Sequence, residues 1–189
     1  MKDIKYKIEF FTYWHCGSGL AAGADVDALV IKDKNGLPYV PGKTIKGLVL
    51  ESLETLYRSE SDKISIEENL GCFDKNANKA TQGYAFFSNA ELSEEEQKAI
   101  VCNKVKDFLY NSLASTSIDD EGIAKRHNLH RMEVTVPCTL YGNIINVSDK
   151  FETMLGNSIK LIKRLGQNRN RGLGRCKFSI IQTKEGGNL

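Results

Sequence analysis

The chain has 189 residues, 41% hydrophobic and 26% charged, with 26 Lys+Arg against 24 Asp+Glu. This is the composition of a globular protein of about one domain, and it excludes a disordered tail or a polyelectrolyte. No apolar run approaches the roughly 18 residues a membrane span needs, and Met1-Lys2-Asp3-Ile4 does not open a signal peptide, so no membrane partner is expected. Five cysteines (Cys16, Cys72, Cys102, Cys138, Cys176) are odd in number, scattered and never paired as Cys-x-x-Cys. That speaks against a disulfide framework and a zinc site, and for a reducing, cytoplasmic setting.

In chain order, residues 4–13 alternate, with Ile4, Tyr6, Ile8 and Phe10 opposite Lys5, Lys7 and Glu9, which predicts a half-buried strand. A glycine-rich stretch (15–27), a short apolar piece (28–31) and a turn at Lys34-Asn35-Gly36 follow. Ile45, Leu48, Val49, Leu53 and Leu56 predict a helix over 43–58, interrupted by Gly47, which suggests a close approach. Residues 60–82 are polar and turn-rich and read as an irregular insertion. Residues 84–89 resemble a strand, and Ser93 with Glu96 three residues on is a capping box that opens a second helix. A polar segment of mixed charge (112–131) reads as a projecting insertion, and 132–147 as strand, bend, strand. Asp149 is expected to cap a helix to about 165, and Cys176, Phe178 and Ile180 alternate as a last strand. Strand-helix-strand, insertion, strand-helix-strand predicts an α+β fold, an antiparallel sheet backed on one face by two helices, as in ferredoxin-like folds.

The charge is balanced overall but not locally. From Thr153 to Lys184 there are eight basic residues and no acid, centred on Arg169-Asn170-Arg171-Gly172-Leu173-Gly174-Arg175. Three guanidinium forks (Arg169, Arg171, Arg175) on a loop whose Gly172 and Gly174 let the backbone come close suit a chain of phosphates. Gly42-Lys43-Thr44 lacks the glycine spacing of a P-loop, and the Gly-Leu-Gly follows a helix rather than a strand, so neither nucleotide-binding fingerprint applies. Lys43 and Thr44 instead stand at a helix N-terminus that favours an anion, with Lys46 a turn on. Arg126, His127, His130 and Arg131 read as solvated or RNA-contacting rather than metal-binding. His15 is open as a general base or as a strand-end residue. Asp25 and Asp27 are two carboxylates on one loop, able to hold Mg²⁺ or another divalent metal, or simply ordinary loop acids.

Four stretches together resemble the RAMP superfamily, in particular the guide-RNA-binding backbone subunit of type III CRISPR effector complexes. They are Asp27-Ala28-Leu29-Val30-Ile31-Lys32-Asp33 followed by Pro41-Gly42-Lys43-Thr44-Ile45-Lys46-Gly47; Asn69-Leu70-Gly71-Cys72-Phe73 with Phe86-Phe87-Ser88-Asn89-Ala90; the 118–137 region; and Arg171-Gly172-Leu173-Gly174-Arg175. The resemblance implies a single RAMP domain over 1–189 with a ferredoxin-like (RRM-related) core and insertions at about 60–82 and 112–131, the latter a projecting thumb-like hairpin. It implies a subunit that binds CRISPR guide RNA along its backbone and cleaves paired target RNA by metal-dependent endonucleolysis, with Asp27 as catalytic residue and metal ligand. Its partners are then further copies of itself, a large polymerase-like subunit, a small subunit and end-capping RAMP subunits. Leu29 replaces the family's usual proline, which keeps Asp25 a second catalytic candidate. On the residues alone, a non-catalytic binding subunit and a metal-independent guide-processing ribonuclease using His15 remain open.

Overall fold

The alternation of β1 (Lys2–Phe10) puts Ile4, Tyr6, Ile8 and Phe10 on one face, and all four are buried. The structure, a computed structural model, describes residues 1–21, 26–74, 78–119 and 121–185, with the backbone alone at 73–74, 117–118 and 124–127. β1 pairs antiparallel with β7 (Thr139–Val147) on one side and β8 (Cys176–Glu185) on the other, and β4 (Phe86–Phe87) pairs with β7. The sheet order is β4-β7-β1-β8. Ranked by chain position, these are the second, third, first and fourth strands, the ferredoxin-like arrangement predicted. The apolar face is covered by α1 (Gly42–Leu56), through Ile45, Val49 and Leu53, and by α4 (Asp149–Ser158), through Phe151, Met154 and Leu155. Phe10 stacks on Trp14 at 4.5 Å, which carries the core beyond the end of β1 to the functional loops.

Several local expectations change. The 60–82 segment is ordered: α2 (Glu60–Leu70), capped by the Ser59 side chain, runs into a hairpin of β2 (Gly71–Asp74) and β3 (Lys79–Gln82). Its buried positions are Ser65, Ile66, Asn69 and Leu70, so half of its inner face is polar and the apolar period is hidden. Asn69 satisfies that burial by donating to Ser65 O (2.8 Å) and Ser148 Oγ (3.1 Å). Ser148, not Asp149, caps α4, its hydroxyl accepting from Phe151 N–H at 3.4 Å, and the helix tightens to a 3₁₀ turn at Ile159–Leu161. Only Phe86–Phe87 of 84–89 pairs as strand. The capping box of α3 (Glu94–Asn103) is present, with Glu96 N–H on Ser93 Oγ and Ser93 N–H on the Glu96 carboxylate. Gly47 meets no close neighbour: a Cβ there would have nothing within 4 Å.

β5 (Tyr110–Ile118) and β6 (Ala124–Thr135) form a two-stranded hairpin outside the main sheet, starting slightly earlier than the expected insertion. Its turn is closed by the Asp119 carboxylate, which accepts from the backbone N–H of Glu121 and Ile123. Its base is anchored by the Trp14–Thr135 bridge and by the Tyr110 hydroxyl donating to Gly36 O at 2.6 Å.

Candidate nucleic-acid interface

The basic loop leaves the 3₁₀ end of α4 and returns into β8. Gly174 has φ +67°, and a Cβ there would run into the backbone oxygen of Leu165, so only glycine fits. Gly174 N–H donates to Tyr13 O (2.7 Å), Leu165 N–H to Gly174 O (2.9 Å), Gln167 N–H to His15 O (2.9 Å) and Arg175 N–H to Thr12 Oγ1 (3.0 Å). These bonds clamp the loop to the segment after β1. Within it, Arg169–Arg171 makes a 3₁₀ turn and Gly172 (φ +93°) faces open space. Arg171 and Arg175 are exposed, and neither forms an ion pair among the described residues. Arg169 is held differently, 3.5 Å from Glu51 on α1.

The 26–32 segment packs along β6. Asp27 N–H donates to Arg131 O (2.8 Å), Arg131 N–H donates to Asp27 Oδ2 (2.7 Å), and His130 Nδ1 lies 3.7 Å from the same oxygen. The side chain of Asp27 remains 55% exposed, and Oδ1 has no hydrogen bond among the described residues. Glu133 secures this segment: its N–H donates to Ala28 O (3.0 Å), and its carboxylate accepts from Val30 N–H (3.0 Å) and Lys32 Nζ (2.7 Å). Lys32 also lies over the Tyr110 ring at 3.9 Å, which ties the same segment to β5.

These two constructions meet. A cleft of about 430 Å³ is lined by Asp27 and Ala28, by His130, Arg131 and Met132 of the hairpin, and by Asn168, Arg171 and Leu173 of the basic loop. An exposed carboxylate thus shares a cleft with an unpaired guanidinium at the foot of a two-stranded projection. His130 and Met132 are the residues that sequence reasoning underused; their shared face follows from the strand alternation of β6.

The other predicted residues fall elsewhere. Lys43 is exposed and Lys46 half-buried on α1, whose N-cap, Pro41, offers no side-chain acceptor. Thr44 engages the Cys16 thiol, and burial, outweighing that bond, pushes the thiol above its ordinary value. Arg175 lies across from Arg164 in a bridge between the loop's two limbs. Arg126 and His127 belong to β6, but their side chains, like all of Asp25, lie outside the described residues. His15 is fully buried; Nδ1 is 2.6 Å from Glu133 O, a pure acceptor, so Nδ1 carries the proton. Its Nε2 has no partner among the described residues and lies under Gly17.

Among the described residues no three His, Cys, Asp or Glu side chains gather into a metal cage. What the cleft does offer is the free oxygen of one carboxylate. That fits a hard cation of the Mg²⁺ kind, which binds through one or two carboxylates, keeps waters and shares substrate phosphates.

The model of the RAMP superfamily matches residues 7–177. Among solved structures, a chain of the type III-B Cmr-beta complex bound to cognate target RNA, determined by cryo-electron microscopy, superposes with a TM-score of 0.72 at 12% identity, covering 94% of this chain and 96% of that one. A chain of the apo Cmr-beta complex gives 0.70 at 12% identity, with 95% and 97% covered. No curated protein matches the sequence. With the family pattern running through nearly the whole chain, and the clamped glycine-rich loop at its C-terminal end, this protein belongs to the RAMP superfamily.

Proposed function

We propose that this chain is the guide-RNA-binding backbone subunit of a type III CRISPR effector complex, and that it cleaves target RNA in the cleft beside Asp27. The observation that carries the reading is the meeting of Asp27, Arg171 and the foot of the hairpin in one cleft. The likeness of the fold to a Cmr-beta chain from a complex bound to cognate target RNA supports the same reading. Arg171, Arg175, Lys43 and Lys46 hold guide phosphates without reading bases, and sequence is left to pairing. Further copies and the other effector subunits continue the guide's path.

The reaction is in-line transesterification. The ribose 2′-oxygen forms a bond to the adjacent phosphorus, the P–O5′ bond breaks, the 2′-hydroxyl proton is released and the 5′-oxygen takes up a proton. The products are a 2′,3′-cyclic phosphate and a 5′-hydroxyl end. The backbone N–H of Arg131 fixes Asp27 Oδ2 and leaves Oδ1, which has no hydrogen bond among the described residues, for the substrate in the cleft that Asp27 lines. There it aligns the phosphodiester together with a divalent cation, which when bound supplies charge to the phosphoryl oxygens. Arg171, across the cleft, neutralises the charge that builds on the phosphate. Alignment of the phosphodiester, rather than proton abstraction, is the role assigned to Asp27, whose Oδ2 is already held by the Arg131 N–H.

The test is to purify the chain in its native complex, sequence the RNA that comes with it, and assay target cleavage by the wild type and Asp27→Ala. Guides sharing a repeat-derived end, with cleavage lost in Asp27→Ala and on chelation, are the expected result. Unchanged cleavage in Asp27→Ala reduces the role to binding, and random or absent RNA overturns the CRISPR reading. His15 is a poor candidate for a processing base, because its ring has no exposed surface.

A further inference from the structure

The cleft beside Asp27 has two jaws. One is the foot of the hairpin, where Arg131 holds Asp27 and Glu133 follows on the same strand. The other is the glycine-rich return, which carries Arg171. Across the gap the Asn168 amide donates to the Met132 thioether at 3.7 Å, a weak bond. A firmer link passes through His15, which belongs to neither jaw. Its ring Nδ1–H donates to Glu133 O (2.6 Å), and its carbonyl accepts from Gln167 N–H (2.9 Å) on the loop limb that leads to Arg171.

Other bonds hold each jaw further from the cleft. Trp14 bridges the hairpin at Thr135, beyond Glu133 from Asp27's partner Arg131, while Tyr13 and Thr12 hold the far limb of the loop at Gly174 and Arg175. His15 therefore braces both jaws at the side nearer the cleft. Its surroundings are shaped to it. A Cβ on Gly166 (φ +101°) would strike the His15 carbonyl oxygen, and one on Gly17 would stand 3.1 Å from Nε2, tighter than ordinary contact. Yet the imidazole is a poor core residue: it is fully buried, and Nε2 has no partner among the described residues. A leucine of similar volume would bury no orphan polar atom, but it could not supply the Nδ1–H donor.

We propose that His15 is a positioning residue for cleavage: its ring and its carbonyl together set the spacing between Asp27 and Arg171. The inference rests on the nuclease reading above, and it gives His15 neither a proton transfer nor a contact with RNA. In-line attack needs its groups closely aligned, and a misplacement of about 1 Å costs on the order of 10²-fold in rate.

Three variants, each in the native complex, separate the possible roles. His15→Asn puts an amide N–H where Nδ1–H was and leaves the outer part of the ring's space empty. His15→Leu fills the space without a donor, and His15→Gln carries its amide out toward the place of Nε2. Single-turnover cleavage at saturating target RNA is expected to stay near wild type in His15→Asn and to fall by about 10²-fold in His15→Leu and His15→Gln. Affinity for target RNA is expected to be unchanged in all three, and thermal melting of each is read alongside. Cleavage in His15→Leu equal to or above that in His15→Asn, or rates that simply follow Tm, overturns the inference in favour of packing. Full activity in His15→Gln overturns it in favour of Nε2. NMR of the wild-type chain, labelled with the heavy nitrogen isotope, adds a test that no variant's folding can obscure. It is expected to find the ring proton of His15 on Nδ1, and a proton on Nε2 instead refutes the brace. A complex that carries guide RNA but cleaves nothing fails the nuclease reading, and this inference with it.

Discussion

Glu133 is where the thumb-like hairpin, the Asp27 segment and the strand before them are joined, so its removal has a calculable cost. Its side chain is 16% exposed and accepts from Val30 N–H at 3.0 Å and Lys32 Nζ at 2.7 Å. Glu133→Ala strands the Val30 N–H, in a residue only 2% exposed, at about 1–3 kcal/mol. It also removes an ion pair whose lysine is 32% exposed, which contributes under about 1 kcal/mol. The sum is about 1–4 kcal/mol, or a fall in Tm of roughly 2 to 16 °C for a chain of this size. Glu133→Gln keeps an acceptor for Val30 and gives up only the charge, so it costs about 1 kcal/mol. Urea unfolding of the two variants checks this order. Target cleavage is expected to fall further in Glu133→Ala than the folded fraction does, because the segment carrying Asp27 loses its tether. Equal costs for the two variants, or a cost for Glu133→Ala below about 0.5 kcal/mol, would refute the assignment.

Gly174→Ala forces a Cβ toward Leu165 O at φ +67°, and it is expected to destabilise by about 3 kcal/mol in thermal melts; an unchanged melt contradicts the clamp described for the loop. Arg171→Ala removes one unpaired cation, so the slope of log affinity against log salt for single-stranded RNA becomes shallower by about 0.7. The same titration on Arg169→Ala is expected to show a smaller change, since Arg169 already faces Glu51. Burial pushes the Cys138 thiol from 9.0 up to about 12 and Cys176 up to about 11. The folded chain holds these protons more tightly than the unfolded one, so their contribution is whole below pH 9 and is lost as pH rises toward 11 and 12. The urea midpoint should fall across that window, and less steeply in Cys138→Ala.

The strongly periodic parts of this protein were legible from local pattern alone. β1, α1, the last strand and the Ser93–Glu96 capping box each depend on residues two to four positions apart, and each is where the pattern predicted. The Arg171–Arg175 motif likewise announced its own turn, because the αL geometry at Gly172 and Gly174 is a property of glycine itself. α2 stayed hidden because its inner face is half polar, and Asn69 is satisfied there by Ser65 O in its own helix and by Ser148, 79 positions away. The cleft depends even more on distance. Asp27 and Arg131 are 104 positions apart, Lys32 and Glu133 101, and His15 and Glu133 118. Short-range periodicity carries no information about such pairs. They exist because closing the ferredoxin-like sheet brings the segment after β1, the root of the hairpin and the glycine-rich return together, so that groups about a hundred positions apart become hydrogen-bonding neighbours.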